Sequence, residues 1–348
     1  MRRSLLGAVA LTAGAVGGAV LGYLAERTVV DPADEPTPTG DLGRTERIDL
    51  RSADGTRLAV RSSGRLDAPC ILLVHGLSLS HEIWEAQRRA LEACYRVVTL
   101  DLRGHGDSDD AVTGDYSADA LGADVTAVLA TLDGPSVVVG HSMGGMAVLA
   151  ALAARPELAA GPVAGVSLVN MAVSAVISGF GGGTIAAGIG FARERALSTR
   201  LGRVLYGGVD DAGLPRGNDL ATVVTRTLGV GTDAPEEAVR KLRRLVLDSR
   251  PQVAGAMWRT AGTLDQIEIA RSLTVPLLVI AGARDRVLPV HHSRRLADNV
   301  AGAELVELDG VGHVAMLERP DEVTALLDGF AGRVLGGDDR RERSGGRV

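Results

Sequence analysis

Two cysteines among 348 residues, Cys70 and Cys94, are too few for a disulfide framework or a four-thiolate zinc site. The seven histidines form no H-E-x-x-H pair, since His291 and His292 are adjacent rather than four apart, so no metal centre is expected. Lysine is almost missing: Lys241 is the only one among the 37 basic residues, a compositional bias that carries no mechanism. No basic block offsets the 43 acidic residues, and the formal charge is −6. Nucleic acid is thereby excluded as the main partner, because neutralising phosphates needs clustered Lys and Arg. No repeat with a period of tens of residues is visible. What remains is ordinary globular composition, 46% hydrophobic and 23% charged, with enough chain to bury a large core.

Charge is also absent from Leu5 to Ala25, a run of 21 residues that follows Arg2 and Arg3. At about 1.5 Å per residue such a helix covers the roughly 30 Å hydrocarbon core of a bilayer. We read it as an uncleaved anchor. The alternative is a secretory signal, but cleavage after Ala13-Gly14-Ala15 would leave an apolar stub, and cleavage after Ala25 would place Tyr23 where small residues are preferred. Arg2 and Arg3 precede the span and Glu26, Asp31, Asp34 and Glu35 are among the charges after it, which leaves the N-terminus cytoplasmic and the body outside. Gly14, Gly18 and Gly22 have the spacing of helix–helix contacts in membranes, a spacing that an Ala/Gly-rich span also produces by chance. Asp31 to Gly40 holds three prolines and three acids and reads as an extended tether.

The body alternates strands and helices. Ile71 to Val74, Val97 to Leu100, Val137 to Val139, Val163 to Val169 and Val275 to Ile280 are short apolar runs, as parallel strands covered on both faces require. Helical stretches are predicted over Glu82 to Ala93, Ala118 to Leu132 and Met146 to Ala154, giving a doubly wound, mostly parallel sheet. Arg44 to Leu50 and Arg57 to Arg61 flank a hairpin-like Asp54-Gly55. Glu304 to Leu308 and a helix near Pro320 to Phe330 close the pattern. Between Asn170 and Thr274 the rhythm breaks into a Gly-rich patch (Gly179 to Gly190) and helix-like pieces at Glu236 to Leu247 and Gln252 to Thr260. An insertion on the carboxyl edge of the sheet is expected to cap the place where such folds bind ligands.

Gly140-His141-Ser142-Met143-Gly144 follows a predicted strand and opens a helix. A sharp turn there exposes Ser142 at the sheet edge, and the flanking glycines let neighbouring backbones approach. A serine hydroxyl needs a base, and the base needs an orienting acid. Asp285 and His313 each follow a predicted strand, in the chain order Ser, Asp, His that this arrangement uses. Asp309 ends the same strand that precedes His313, and Asn170 has no carboxylate, so Asp285 is the acid. The oxyanion donors are expected to be the backbone N–H groups of Met143 and of Leu77, in the loop His75-Gly76-Leu77-Ser78. His75 is assigned to holding that loop.

Three features together, His75-Gly76 with Trp84 downstream, Asp101 to Ser108 (DLRGHGDS) and the turn at Ser142, resemble the α/β-hydrolase superfamily over about Arg44 to Gly332. Together with the N-terminal apolar run (residues 1–30), the Pro-rich linker (31–43) and a Gly- and charge-rich tail expected to be disordered (334–348), this resemblance divides the chain into a core over 44–172 and 266–333 and a helical cap over 173–265. It also implies that the Arg103 to Ser108 turn braces the active-site loops. No cofactor and no metal are implied. The branch resembled includes carboxylesterases, C–C bond hydrolases and cofactor-free haloperoxidases, and also epoxide hydrolases and haloalkane dehalogenases, which use Asp where this chain has Ser142. The expected activity is cleavage of a small-molecule carboxylic ester through an acyl-enzyme. C–C hydrolysis or perhydrolysis on the same residues stays open, as does a ligand-binding member without turnover. Substrate contacts are sought at Phe180, Met257 and Trp258, with Phe191 and Tyr206 beside them, although residues of this kind more often fill a cap's own core. Cys70 and Cys94 flank strands that neighbour each other in the resembled sheet, and are read as two buried free thiols, with a disulfide as the alternative.

Overall fold

The computed structural model describes residues 45–173, 225–263 and 265–336. The expected N-terminal span, the linker and the Gly-rich patch lie outside the described residues, as do Phe180, Phe191, Tyr206 and the side chain of Trp258. Among the described residues no helix is long and apolar enough to cross a membrane.

Eight strands form one sheet: β1 (Glu46–Arg51), β2 (Arg57–Ser63), β3 (Cys70–Val74), β4 (Arg96–Asp101), β5 (Ser136–His141), β6 (Val163–Val169), β7 (Leu277–Gly282) and β8 (Glu304–Leu308). Their spatial order is β1-β2-β4-β3-β5-β6-β7-β8. The first two pairings, β1 with β2 and β2 with β4, are antiparallel, and the others are parallel. β3 and β5 are buried along their whole length, and β6 everywhere but Ala164, because both faces are covered. Alternate residues divide between the faces: Leu72, Val138 and Val279 enter one core cluster, Ile71, Val137 and Ile280 the other. The first cluster takes helices α1 (Ala118–Leu129) and α2 (Met143–Ala154), and the second takes α3 (Pro320–Val334) with Trp84.

Several expected boundaries move. The stretch predicted as one helix from Glu82 to Ala93 is a 3-10 turn, His81–Trp84, followed by an α-helix, Glu85–Leu91. Ser80 caps the 3-10 turn by accepting the Glu82 N–H. Helix α2 starts at Met143 rather than Met146, immediately after the turn at Ser142. Helix α3 runs to Val334 rather than Phe330, and Phe330 and Ala331 carry its buried stripe past Gly329; residues 337–348 of the expected tail lie outside the described residues. Both cysteines are free, but Cys94 is exposed rather than buried. Burial pushes the Cys70 thiol up to about 12, which makes it inert packing.

Two further helices, Glu236–Asp248 and Pro251–Thr263, belong to the expected cap region. The second docks on the loop after β4. Arg250 reaches the Ser108 carbonyl (3.0 Å) and Asp110 Oδ1 (2.7 Å), and Thr260 donates to the Tyr116 carbonyl (3.1 Å). A Cβ on Gly104 would lie 2.6 Å from Val253, so this glycine is what lets the helix seat. Met257, one of the residues sought as a substrate contact, is fully buried in the first core cluster, in line with a packing role.

Candidate active site

The carboxyl ends of β5, β7 and β8 carry Ser142, Asp285 and His313. Asp285 and His313 meet directly, with His313 Nδ1 at 2.8 Å from Asp285 Oδ2. The Asp285 carboxylate is 0% exposed as a side chain and has donors on both oxygens. Oδ1 accepts the backbone N–H groups of Val287 and Leu288, each at 2.8 Å, and Oδ2 accepts Asn170 Nδ2 at 2.8 Å besides the imidazole. That clamp leaves the carboxylate one orientation, and it holds His313 in the tautomer with hydrogen on Nδ1 and a lone pair on Nε2.

Ser142 stands between β5 and α2 at φ 51°, ψ −119°. A non-glycine residue there is strained, at a cost on the order of 1–3 kcal/mol, and persists because its surroundings over-determine it. Those surroundings are glycines. A Cβ on Gly144 would lie 2.4 Å from the His75 carbonyl oxygen, and one on Gly140 would lie 2.6 Å from Gly145. The neighbouring His141 brings the serine turn to the histidine loop. Its Nε2 donates to the His313 carbonyl at 2.9 Å, and the two rings lie 4.9 Å apart. No hydrogen bond joins Ser142 Oγ to the His313 ring among the described residues; in free enzymes such bonds are often long and tighten when substrate binds.

Among the described residues neither Leu77 nor Met143 donates its N–H to a protein acceptor. The Leu77 N–H is aimed by the peptide that contains it. The Gly76 carbonyl accepts His75 Nδ1 at 2.7 Å and the Leu79 N–H at 3.3 Å, so the trans peptide points the Leu77 N–H the opposite way. His75 is itself fixed, because its Nε2 accepts the Leu102 N–H at 3.1 Å. His105 repeats the device, accepting the Ser78 N–H (3.1 Å) and donating to the Arg103 carbonyl (3.0 Å). His75 therefore holds the loop, as the sequence suggests. Below the loop, Arg103 is buried and pairs with Asp124 (2.6 Å) and Asp54 (3.0 Å). Asp101 takes the His81 N–H (2.7 Å) and Arg61 (3.0 Å). Burial by itself would raise its carboxyl, but the contacts it receives from His81 outweigh that and hold it below the usual range.

Sequence reasoning dismissed Asn170 as an acid and missed its amide role. Its φ of 48° at the end of β6 lets Nδ2 reach both Asp285 and the Gly312 carbonyl (3.0 Å). Asn tolerates that conformation better than most residues, which is the one signal the sequence offered. Among the described residues no His/Cys/Asp/Glu group could hold a metal ion.

Burial pushes four histidines below the usual imidazole value: His105 to about 3, His141 well below, and His75 and His292 in the same direction. The unfolded chain protonates them near pH 6.5, while the folded protein resists. Their contribution to stability is therefore full above pH 6.5 and is lost as pH falls toward the depressed folded values. Carboxylates held low, such as Asp101, act only below about pH 4. Thermal melts at pH 7 and pH 5 are expected to differ by on the order of 3 kcal/mol in stability, and a flat profile over that window would contradict neutral burial.

A model of the alpha/beta hydrolase family matches residues 71–326. The 3-oxoadipate enol-lactonase 1 of Acinetobacter baylyi is 26% identical over 291 residues, covering 83% of this chain and 98% of that protein. Epoxide hydrolase A of Mycobacterium tuberculosis is 30% identical over 330 residues, covering 81% and 96%. The crystal structure of esterase RhEst1 from Rhodococcus sp. superposes with a TM-score of 0.69 at 25% identity, covering 83% of this chain and 99% of that one. With the sheet order, the turn at Ser142 and a family match over most of its length, the chain belongs to the alpha/beta hydrolase family.

Proposed function

We propose that the protein is a serine hydrolase that cleaves a carboxylic ester through an acyl-enzyme. The observation that carries this reading is the 2.8 Å contact between His313 Nδ1 and the clamped Asp285, on the loop that His141 joins to the serine turn. Ser142 Oγ attacks the ester carbonyl while His313 Nε2 takes its proton, and the carbonyl π electrons move onto oxygen. The oxyanion is held by the N–H groups of Leu77 and Met143, each worth roughly 3–4 kcal/mol of transition-state stabilisation. The carbon–oxygen bond then breaks and the alcohol leaves with the proton from His313. Water, deprotonated by the same imidazole, attacks the acyl-enzyme, and collapse frees the acid and restores Ser142. Among the similar proteins a lactonase and an esterase support ester chemistry. The epoxide hydrolase does so less, because that chemistry employs Asp at the position of Ser142. The N-terminal run holds the body at a membrane, outside the cytoplasm, in this reading.

The full chain, purified in detergent, should hydrolyse p-nitrophenyl acyl esters and react with a fluorophosphonate probe. Folded protein that shows neither turnover nor labelling would favour a ligand-binding member of the fold and end the enzyme reading. An acyl-chain-length series then ranks substrates.

A further inference from the structure

Five residues after His313 stands a carboxylate that the mechanism above does not use. Glu318 is only 2% exposed and ends the short helix Ala315–Glu318. Its Oε2 accepts the Gly231 N–H at 2.8 Å and the Gly312 N–H at 3.1 Å, and Oε1 accepts the Gly312 N–H at 3.0 Å. No Lys, Arg or His pairs with it among the described residues. Burial pushes its pKa up, and Asp285 adds to the effect. A buried carboxylate without a cation is costly unless its lone pairs are filled, so backbone N–H groups are its compensation.

The two backbones it joins are far apart in sequence. One is the loop from Gly310 to His313. The other is the segment after the π-type turn Thr225–Gly229, where the chain approaches the core from the cap region. They touch at backbone distance: a Cβ on Gly312 would lie 2.3 Å from the Val230 carbonyl carbon, and one on Gly231 would lie 1.9 Å from the Gly310 oxygen. The His313 N–H donates to the Gly229 carbonyl at 3.1 Å. Arg286, next to Asp285, donates to the Thr227 carbonyl at 2.7 Å. The segment 225–231 is thus sewn to the loops of both the base and the acid, with Glu318 at the crossing.

We propose that Glu318 is a positioning residue, whose carboxylate ties the His313 loop to the segment arriving from the cap so that the imidazole sits in register with Ser142. The proposal rests on the reading of His313 as the base. Without the clasp, Gly312 and Gly231 lose their acceptor and the loop carrying the imidazole loosens. A misplacement of about 1 Å at a reacting group costs on the order of 100-fold in rate. Glutamine fills the same volume but presents one acceptor and one NH₂, which opposes the N–H donors it faces.

The test uses the full chain with Glu318→Gln and Glu318→Asp. The readouts are the fluorophosphonate labelling rate constant of Ser142, kcat and KM on p-nitrophenyl butyrate, and the downfield proton resonance of His313 Nδ1–H. In Glu318→Gln, labelling and kcat are expected to fall on the order of 10- to 100-fold with KM held within about twofold, and the resonance to shift or broaden. Wild-type labelling and an unmoved resonance would overturn the proposal. So would a smaller labelled fraction that reacts at the wild-type rate per site, because that marks a purely structural role. If the glutamine variant does not fold, Glu318→Asp decides by the same criteria, since its shorter reach also breaks the clasp. A wild-type protein that never labels removes the hydrolase reading and this proposal together; a labelling wild type with an unaffected variant removes the proposal alone.

Discussion

Ser142→Ala is expected to lower kcat on p-nitrophenyl esters about 10⁶-fold and to abolish fluorophosphonate labelling. Rate losses of that size, about 8 kcal/mol, arise because nucleophile and base act as a unit and neither works alone. The residual rate should reflect binding and the Leu77 and Met143 N–H groups, which the substitution leaves in place. Stability gives a second and sharper readout. At φ 51° and ψ −119° both Ser and Ala carry the strain of the turn, so Ser142→Ala should melt close to wild type. Ser142→Gly should differ. Glycine relieves on the order of 1–3 kcal/mol of strain and costs roughly 0.5–1 kcal/mol in unfolded-state entropy. The net is an inactive protein stabilised by about 1 kcal/mol, visible in a denaturant titration. Stable labelling of Ser142→Ala at wild-type rate would contradict the nucleophile assignment outright. A Ser142→Gly variant less stable than Ser142→Ala would show that the turn holds no strain for glycine to relieve.

The sheet was legible because its central strands are covered on both faces and so read as unbroken apolar runs. β6 and β8 match their expected limits, and β3, β4 and β5 extend theirs by one, two and three residues. Helices were harder at their ends. The start of α2 was obscured by Gly144 and Gly145, which are poor helix formers yet stand there because a Cβ would strike the Val74 and His75 carbonyls or Met171. That requirement comes from the neighbouring strand and is invisible along the chain. Ser142, Asp285 and His313 could be proposed because each follows a strand whose end the apolar pattern marks. Asn170 and Glu318 could not, because their roles depend on which backbone N–H or carboxylate the fold carries to them from more than 80 residues away. His75 was intermediate: its place beside Gly76 suggested a loop role, while the peptide it pins needed coordinates.

Asp285→Asn is expected to lower kcat about 10⁴-fold, or roughly 5.5 kcal/mol, with little change in KM. The clamp around the carboxylate explains why so small a change costs so much. Oδ1 faces the Val287 and Leu288 N–H groups, so an asparagine must present its oxygen there to avoid two donor–donor clashes. Its NH₂ then occupies the Oδ2 position, facing His313 Nδ1 and the amide of Asn170. His313 can meet that NH₂ only with a bare Nδ1, which puts the hydrogen on Nε2. The nitrogen that should take the Ser142 proton is then already protonated. Asn170 is left with its Nδ2 opposed, and flipping its amide would sacrifice the bond to the Gly312 carbonyl. Two predictions separate this account from simple loss of charge. Asp285→Ala removes the misdirecting NH₂ and lets the imidazole keep either tautomer, so it should retain more activity than Asp285→Asn at pH 8. The downfield Nδ1–H resonance of His313 should vanish in both variants, while its Nε2–H signal should rise only in Asp285→Asn. Equal activities for the two variants would make charge rather than tautomer the main contribution of Asp285.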